Sequence, residues 1–247
     1  MFNKVKSYVR DRSFPIKFID FLKWKIIDLY RFIKNKDRKI HLYGIYGYFG
    51  LPGRGKTMAM TQELIELRRR YRDQIYIFTN YGFSQEDQPF DNWRMLLKEY
   101  DKPAVFAWDE VQNEFNSRDF KNFPIELLTL FTQNRKGHGK RILYTAQRYA
   151  RVDKVFRELS FLVGDCRTIF GRYTVVRWYD TEDYEMIQST PDVNKRMKIK
   201  PRKKTKFIQT DFIRDNYNSY QMLESAKSKE YMDRNEIAQI NQVRQLL

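Results

Sequence analysis

The chain is poor in the residues that build covalent or metal frameworks. Its 247 residues include one cysteine, Cys166, and two histidines. A lone thiol excludes an internal disulfide and a cysteine-rich metal site. It suits a reducing cytoplasm and reads most simply as a small buried apolar side chain. His138 has no partner at metal-ligand or triad spacing, so it takes no catalytic role. No run reaches 18 uncharged apolar residues, so no segment reads as membrane-spanning. Charges also interrupt every apolar run near the N-terminus, which leaves no signal-peptide core. There is no internal repeat and no low-complexity tract. Acidic residues are scarce beside basic ones, 31 against 47, for a net charge of +16.

What is present is enough for a packed core. Hydrophobic residues make up 42% of the chain, which argues against wholesale disorder. The length suits one α/β domain with extensions, or two small domains. The basic excess points to a polyanionic partner, nucleic acid or an acidic lipid surface, with a merely solvated basic surface as the plain alternative.

Residues 50–57 read Gly-Leu-Pro-Gly-Arg-Gly-Lys-Thr, a complete G-x-x-x-x-G-K-[ST] phosphate-binding loop. Gly50 and Gly55 let the backbone curl until successive N–H groups face phosphate oxygens. Lys56 brings positive charge to the β- and γ-phosphates, and the Thr57 hydroxyl can ligate Mg²⁺. Leu51, Pro52, Gly53, Arg54 and Met58 complete the expected nucleotide contacts. The apolar run 40–49 precedes the loop as a strand, and 57–70 follows as a helix, so the loop sits at a helix N-terminus. An inconsequential glycine turn is the weaker alternative.

Beyond the loop, strand and helix alternate. Strands are expected at 74–79, 104–108 and 141–145, helices at 125–132 and 152–161, and two further strands within 166–179 around Phe170-Gly171-Arg172. Such alternation implies an α/β fold, a mainly parallel sheet flanked by helices. Residues 194–206 hold eight basic residues and no acid, and 221–247 read as a charge-mixed helix.

The strand AVFAW at 104–108 ends in Asp109 and Glu110. An apolar strand ending in two acids resembles a Walker B element: the first carboxylate holds the Mg²⁺ shell and the second polarises the attacking water. A solvated strand end is the alternative. Gln147, after the strand at 141–145, stands where a neighbouring strand tip would face the γ-phosphate. Arg135 is the first candidate, and Arg148 the second, for reaching a neighbouring subunit's nucleotide; both could equally contact DNA or solvent.

Residues 1–40 carry twelve Lys/Arg against four Asp, a net +8. Within them Phe18, Ile19, Leu22, Ile26, Leu29, Tyr30 and Ile33 share one helical arc, opposite Lys17, Asp20, Lys23, Asp28, Arg31 and Lys34. Pro15 sits where this helix would begin. The segment 15–34 can lie on an anionic membrane or pack on protein. Three regions are therefore expected: a basic amphipathic region at 1–39, a P-loop ATPase domain at 40–190, and a basic, helical extension at 191–247.

Together these segments resemble the zonula occludens toxin (Zot)-like ATPases, which include the assembly ATPases of filamentous phages. The resemblance rests on GLPGRGKT at 50–57, Thr79-Asn80, AVFAWDEVQNEF at 104–115 and, most specifically, the block at 127–159, with a fainter echo at 209–220. It implies an additional-strand (ASCE), RecA/FtsK-like NTPase of the FtsK–HerA group. It also implies an oligomeric ring that hydrolyses ATP with Mg²⁺ during virion assembly and DNA export. On this reading Asp109 holds the magnesium shell, Glu110 is the catalytic carboxylate and Gln147 is the sensor. Filamentous-phage members usually carry a transmembrane helix after the ATPase domain, and this chain shows none. Membrane contact would then fall to residues 15–34 or to another assembly protein, with the protein in the cytoplasm or peripheral at the inner face of the host membrane.

The leading expectation is an ATP-driven motor acting on DNA in phage morphogenesis, export or packaging. The runner-up is a nucleotide-gated peripheral membrane adaptor with slow hydrolysis. A small-molecule kinase fits poorly with two carboxylates at the strand end. No Asn-Lys-x-Asp guanine-reading segment and no Ser-Gly-Gly signature occur, which argues against GTPases and ABC-type ATPases.

Overall fold

The computed structural model describes residues 14–34, 40, 42–113, 115, 125–133 and 139–217. It divides into two units, 1–40 and 41–247. In the first, α1 (Phe14–Lys34) is a helix of 21 residues. Pro15 is tolerated in its first turn, where no backbone donor is needed. Phe18, Ile19, Leu22, Ile26, Leu29 and Tyr30 are all exposed, and so are Phe21 and Trp24, which fall among the charged positions. No helix among the described residues is long and apolar enough to cross a membrane.

The second unit is built on one eight-stranded sheet. Its strands are β1 (Gly44–Phe49), β2 (Tyr76–Thr79), β3 (Gln88–Pro89), β4 (Ala104–Trp108), β5 (Lys140–Ala146), β6 (Leu162–Ile169), β7 (Tyr173–Tyr179) and β8 (Lys203–Ile208), in the order β3-β2-β4-β5-β1-β6-β7-β8. The first six in that order run parallel, and β6, β7 and β8 form an antiparallel meander. Helices α2 (Lys56–Tyr71), α3 (Ile125–Gln133), α4 (Lys154–Leu159), α5 (Thr181–Ser189), α6 (Val193–Lys198) and α7 (Asp211–Asp215) complete it. Because β5 lies between β1, which leads into the glycine loop, and β4, which ends in the two acids, the sheet has the additional strand that the resemblance implies. The fold is a P-loop NTPase fold.

The central strands are covered on both faces, so they read as continuous apolar runs; all five residues of β4 are buried. Much of the aromatic content goes into this core. Phe78 stacks on Phe106 at 4.8 Å between centroids, and Trp108 meets Phe90 edge-on at 4.9 Å. Such pairs add to the stabilisation from burial by about 1 kcal/mol each.

Several boundaries differ from expectation. The helix expected over 152–161 spans only α4, because the Asp153 side chain accepts a hydrogen bond from Val155 N at 2.8 Å and caps it there. The basic tract at 194–206 hides both α6 and the start of β8. In β8, Thr205 and Phe207 turn inward while Lys203, Lys204 and Lys206 are exposed, a lysine-rich edge of the kind that resists further strand pairing. The sheet thus runs beyond residue 190. The expected helix at 221–247 lies outside the described residues.

Candidate nucleotide-hydrolysis site

The loop is shaped by backbone demands before any ligand enters. Gly55 adopts φ +81, and a Cβ there would collide with the Thr168 hydroxyl of β6. Gly50 has the same freedom at φ +152, and a Cβ would press on the Cys166 carbonyl at 3.1 Å. Thr168 Oγ1 also donates to Arg54 O at 3.0 Å, so β6 braces the loop from outside. Helix α2 starts with no side-chain cap and no acidic residue in its first turn. Its free N–H groups and dipole therefore point at whatever anion the loop holds. Leu51, Pro52, Gly53 and Arg54 are exposed, Met58 half-buried and Lys56 buried.

Around Lys56 and Thr57 the structure gathers groups from four strand ends. Thr57 Oγ1 donates to Asp109 Oδ1 at 2.9 Å, across 52 residues of sequence. The Thr145 hydroxyl, near the end of β5, donates to the same oxygen and accepts from Glu110 N at 2.9 Å. Asn80, just past β2, grips the Asp109 backbone: Asp109 N donates to Asn80 Oδ1 at 2.7 Å, and Asn80 Nδ2 donates to Asp109 O at 3.1 Å. Burial raises the Asp109 pKa above its usual value, and the Thr145 and Thr57 hydroxyls hold it back. Oδ2 accepts no hydrogen bond from the described residues, so one lone-pair face stays available.

Glu110 occupies a left-handed conformation at φ +53, which costs a non-glycine residue about 1–2 kcal/mol. Its carboxylate lies 3.6 Å from Lys56 Nζ and accepts from Gln112 Nε2. The strain buys a direction, since it turns this acid toward the loop lysine.

Gln147 is half-buried and lines a cleft of about 580 Å³ with Gly50, Leu51, Arg54, Arg167 and Arg177. Among the described residues it makes no hydrogen bond to Asp109, Glu110 or Lys56. Arg148 is exposed beside it, and Arg135 lies outside the described residues.

Three contributors were not singled out from sequence. Thr145 and Asn80 sit inside segments that carry the resemblance, yet only pairing of β5 and β2 with β4 reveals what they hold. Tyr217 is the third. The chain after β8 crosses back over the loop, with Gln209 Nε2 donating to Thr174 Oγ1 at 2.8 Å, and ends beside Tyr81 at 5.5 Å between rings. There Tyr217 stands near Thr57, and burial with the nearby Asp109 and Glu110 charges raises its pKa. No short-range signal marks a tyrosine 160 positions from its partner.

A hydroxyl and one carboxylate are too few to cage a metal alone, and no cluster of three acidic, histidine or cysteine side chains occurs among the described residues. They do suit Mg²⁺ carried in with phosphates, which keeps most of its own waters.

No family model and no curated protein matches the chain. Among solved structures it is similar to the N-terminal domain of zonular occludens toxin from Neisseria meningitidis, at 16% identity over 72% of this chain and 100% of that one, with a TM-score of 0.47. It is also similar to the genome packaging NTPase B204 from Sulfolobus turreted icosahedral virus 2 in complex with ATP-gammaS, at 12% identity over 56% and 93% of the two chains, TM-score 0.42. A further match is B204, the DNA-packaging ATPase from Sulfolobus Turreted Icosahedral Virus, at 13% identity over 69% and 98%, TM-score 0.41.

Proposed function

We propose that the protein is a Mg²⁺-dependent ATPase that assembles into a ring and drives DNA during phage morphogenesis, export or packaging. One observation carries the enzymatic part. The loop's Thr57 and the strand-end Asp109 are already bonded at 2.9 Å, with Glu110 beside Lys56. Thr57, Asp109 Oδ2 and the phosphates would hold Mg²⁺, which supplies charge neutralisation at the β- and γ-oxygens.

The residues then divide the work. Gly50–Met58 and the α2 N-terminus bind the phosphate chain. Lys56 exchanges its Glu110 partner for phosphate oxygen, which frees that carboxylate to accept a proton from the attacking water. Thr145 keeps Asp109 and Glu110 in register by bonding to both. Gln147 and the trans arginine, for which Arg135 is preferred over Arg148, complete the reading as sensor and charge donor. The basic surface supplies phosphate contacts to DNA. The three-part plan of 1–39, 40–190 and 191–247 belongs to the same proposal, with β8 of the last part completing the ATPase sheet.

Glu110→Gln is the decisive variant: nucleotide binding persists and hydrolysis falls by at least 100-fold. Normal turnover would overturn Glu110 as the base. A peripheral membrane role is a second reading, favoured by the exposed apolar side chains of α1. Flotation with anionic liposomes, with and without residues 1–39, tests it; equal flotation removes it.

A further inference from the structure

The meander β6–β7–β8 has two unlike faces. Cys166, Thr174, Val176 and Trp178 are buried on one. Strand register sets out the other in rows: Ile169–Tyr173–Ile208, then Arg167–Val175–Lys206, then Asp165–Arg177–Lys204. Arg167, Arg177, Lys204 and Lys206 are exposed; the half-buried Asp165 lies opposite Arg177, and the Arg177 and Arg167 charges offset part of the rise that burial gives its pKa. Tyr173 and Ile208 are also exposed, the latter at 61%.

The hairpin tip breaks a local rule. Arg172 N bonds back to Ile169 O at 3.3 Å, and both central residues have positive φ, Phe170 at 51° and Gly171 at 70°. That turn favours Asn, Asp or Gly at its first central position. A phenylalanine stands there instead, 98% exposed. Neither turn geometry nor the core requires it, and such exceptions mark functional positions.

We propose that this face, with Phe170 at its tip, binds single-stranded nucleic acid. The proposal rests on the reading of the protein as an ATPase acting on DNA, and names the surface involved. The four cations track a phosphate backbone, while Tyr173 and Phe170 offer ring faces to unpaired bases. A duplex hides its base faces and would leave the aromatic row idle. A bilayer would call for an apolar band along the whole face, whereas here the exposed apolar groups Phe170, Tyr173 and Ile208 gather at one end and the rows behind them are cationic. The face is also wired to the loop, because β6 carries both Arg167 and Thr168, the latter donating to Arg54 O.

The test is fluorescence anisotropy of the full chain with a labelled oligothymidylate of about 30 nucleotides. Phe170→Asn suits the turn, so melting temperature holds or rises while affinity falls about ten-fold. Lys204→Glu with Lys206→Glu weakens binding and flattens its log–log salt dependence by about 1.4, roughly 0.7 per lost contact. The charge-matched control Arg94→Glu with Lys98→Glu, outside this face, keeps the slope of the parent. Oligonucleotide-free ATP hydrolysis stays unchanged in all three. Parent-like affinity and slope in both sets overturn the surface, as does equal competition by duplex of the same length. Loss of self-association or of anionic-vesicle binding with oligonucleotide affinity intact also overturns it. If the parent fails to hydrolyse ATP yet Phe170→Asn weakens binding, the ATPase reading falls and the surface stands.

Discussion

Asp109→Asn should make the protein more stable and inactive at once. Both hydroxyls that reach this side chain, from Thr57 and Thr145, bond to the same oxygen, Oδ1. An asparagine carbonyl can accept both, and the amide nitrogen replaces Oδ2, which serves no donor among the described residues. Lys56 keeps its charge balance through Glu110 at 3.6 Å. Burying the carboxylate costs several kcal/mol, whereas making both hydroxyl bonds neutral forfeits only about 1 kcal/mol each. An amide N–H facing the loop mouth costs roughly another 1 kcal/mol. The net gain is about 1–3 kcal/mol, or roughly 3–8 °C in melting temperature for a domain of this size. The pH dependence supplies the refutation. Burial raises the folded-state pKa of Asp109 above its ordinary 3.8, so between those values the folded chain holds a proton that the unfolded chain has lost. Stability from this group therefore falls as pH rises through that window. The variant's advantage should be full at neutral pH and vanish in acid, where both side chains are uncharged. Calorimetry of the nucleotide-free proteins at pH 7.5 and pH 3, below the ordinary aspartate value, decides it. No advantage at neutral pH, or one that persists unchanged in acid, would refute the electrostatic account. Mg²⁺-dependent hydrolysis should be lost at every pH.

Thr145→Val removes a donor from Asp109 and the acceptor of Glu110 N, so melting should register a loss of about 2–3 kcal/mol and turnover should drop more than ten-fold. Gly55→Ala forces a side chain into the Thr168 hydroxyl at φ +81; titration calorimetry should find nucleotide binding lost, and retained affinity would disprove the tight bracing by β6. Arg72→Gly relaxes a positive φ of 49° at the end of α2 and should add about 0.5–1 kcal/mol with hydrolysis unaltered.

Sequence was most legible where chemistry and geometry sit within a few residues of one another. GLPGRGKT carries its turn, its anion site and its helix start in one stretch, and AVFAW is apolar because both its faces are covered. The charge tract at 194–206 was opaque for the opposite reason. β8 only half-buries Thr205 and Phe207 on one face, so period-two alternation is too short to rise above the lysines. Asn80, Thr145 and Tyr217 were opaque because hydrogen bonds to a strand neighbour leave no periodic trace. The meaning of Thr145 and Asn80 depends on β5 and β2 flanking β4, and that of Tyr217 on the return of the chain after β8 to Tyr81, which are topological facts.

That topology also sets the β6–β7 hairpin directly against the loop. The loop touches protein on two flanks. On one, Thr57 joins Asp109, Thr145 and Glu110, the groups that would act on the nucleotide. On the other, Arg54 and Gly55 rest against Thr168, Thr174 and Gln209 just below the tip of the β6–β7 hairpin. A loop this short, with glycines at φ +77 and φ +81 in its middle, cannot shift one flank without the other. On the proposed reading, a ligand that orders the hairpin would reach the phosphate loop through the Thr168–Arg54 hydrogen bond. Thr168→Val cuts that route while leaving Lys56, Thr57, Asp109 and Glu110 in place. It should leave oligonucleotide affinity within two-fold and abolish any stimulation of ATP hydrolysis by oligonucleotide. Stimulation that survives in Thr168→Val would place the coupling elsewhere.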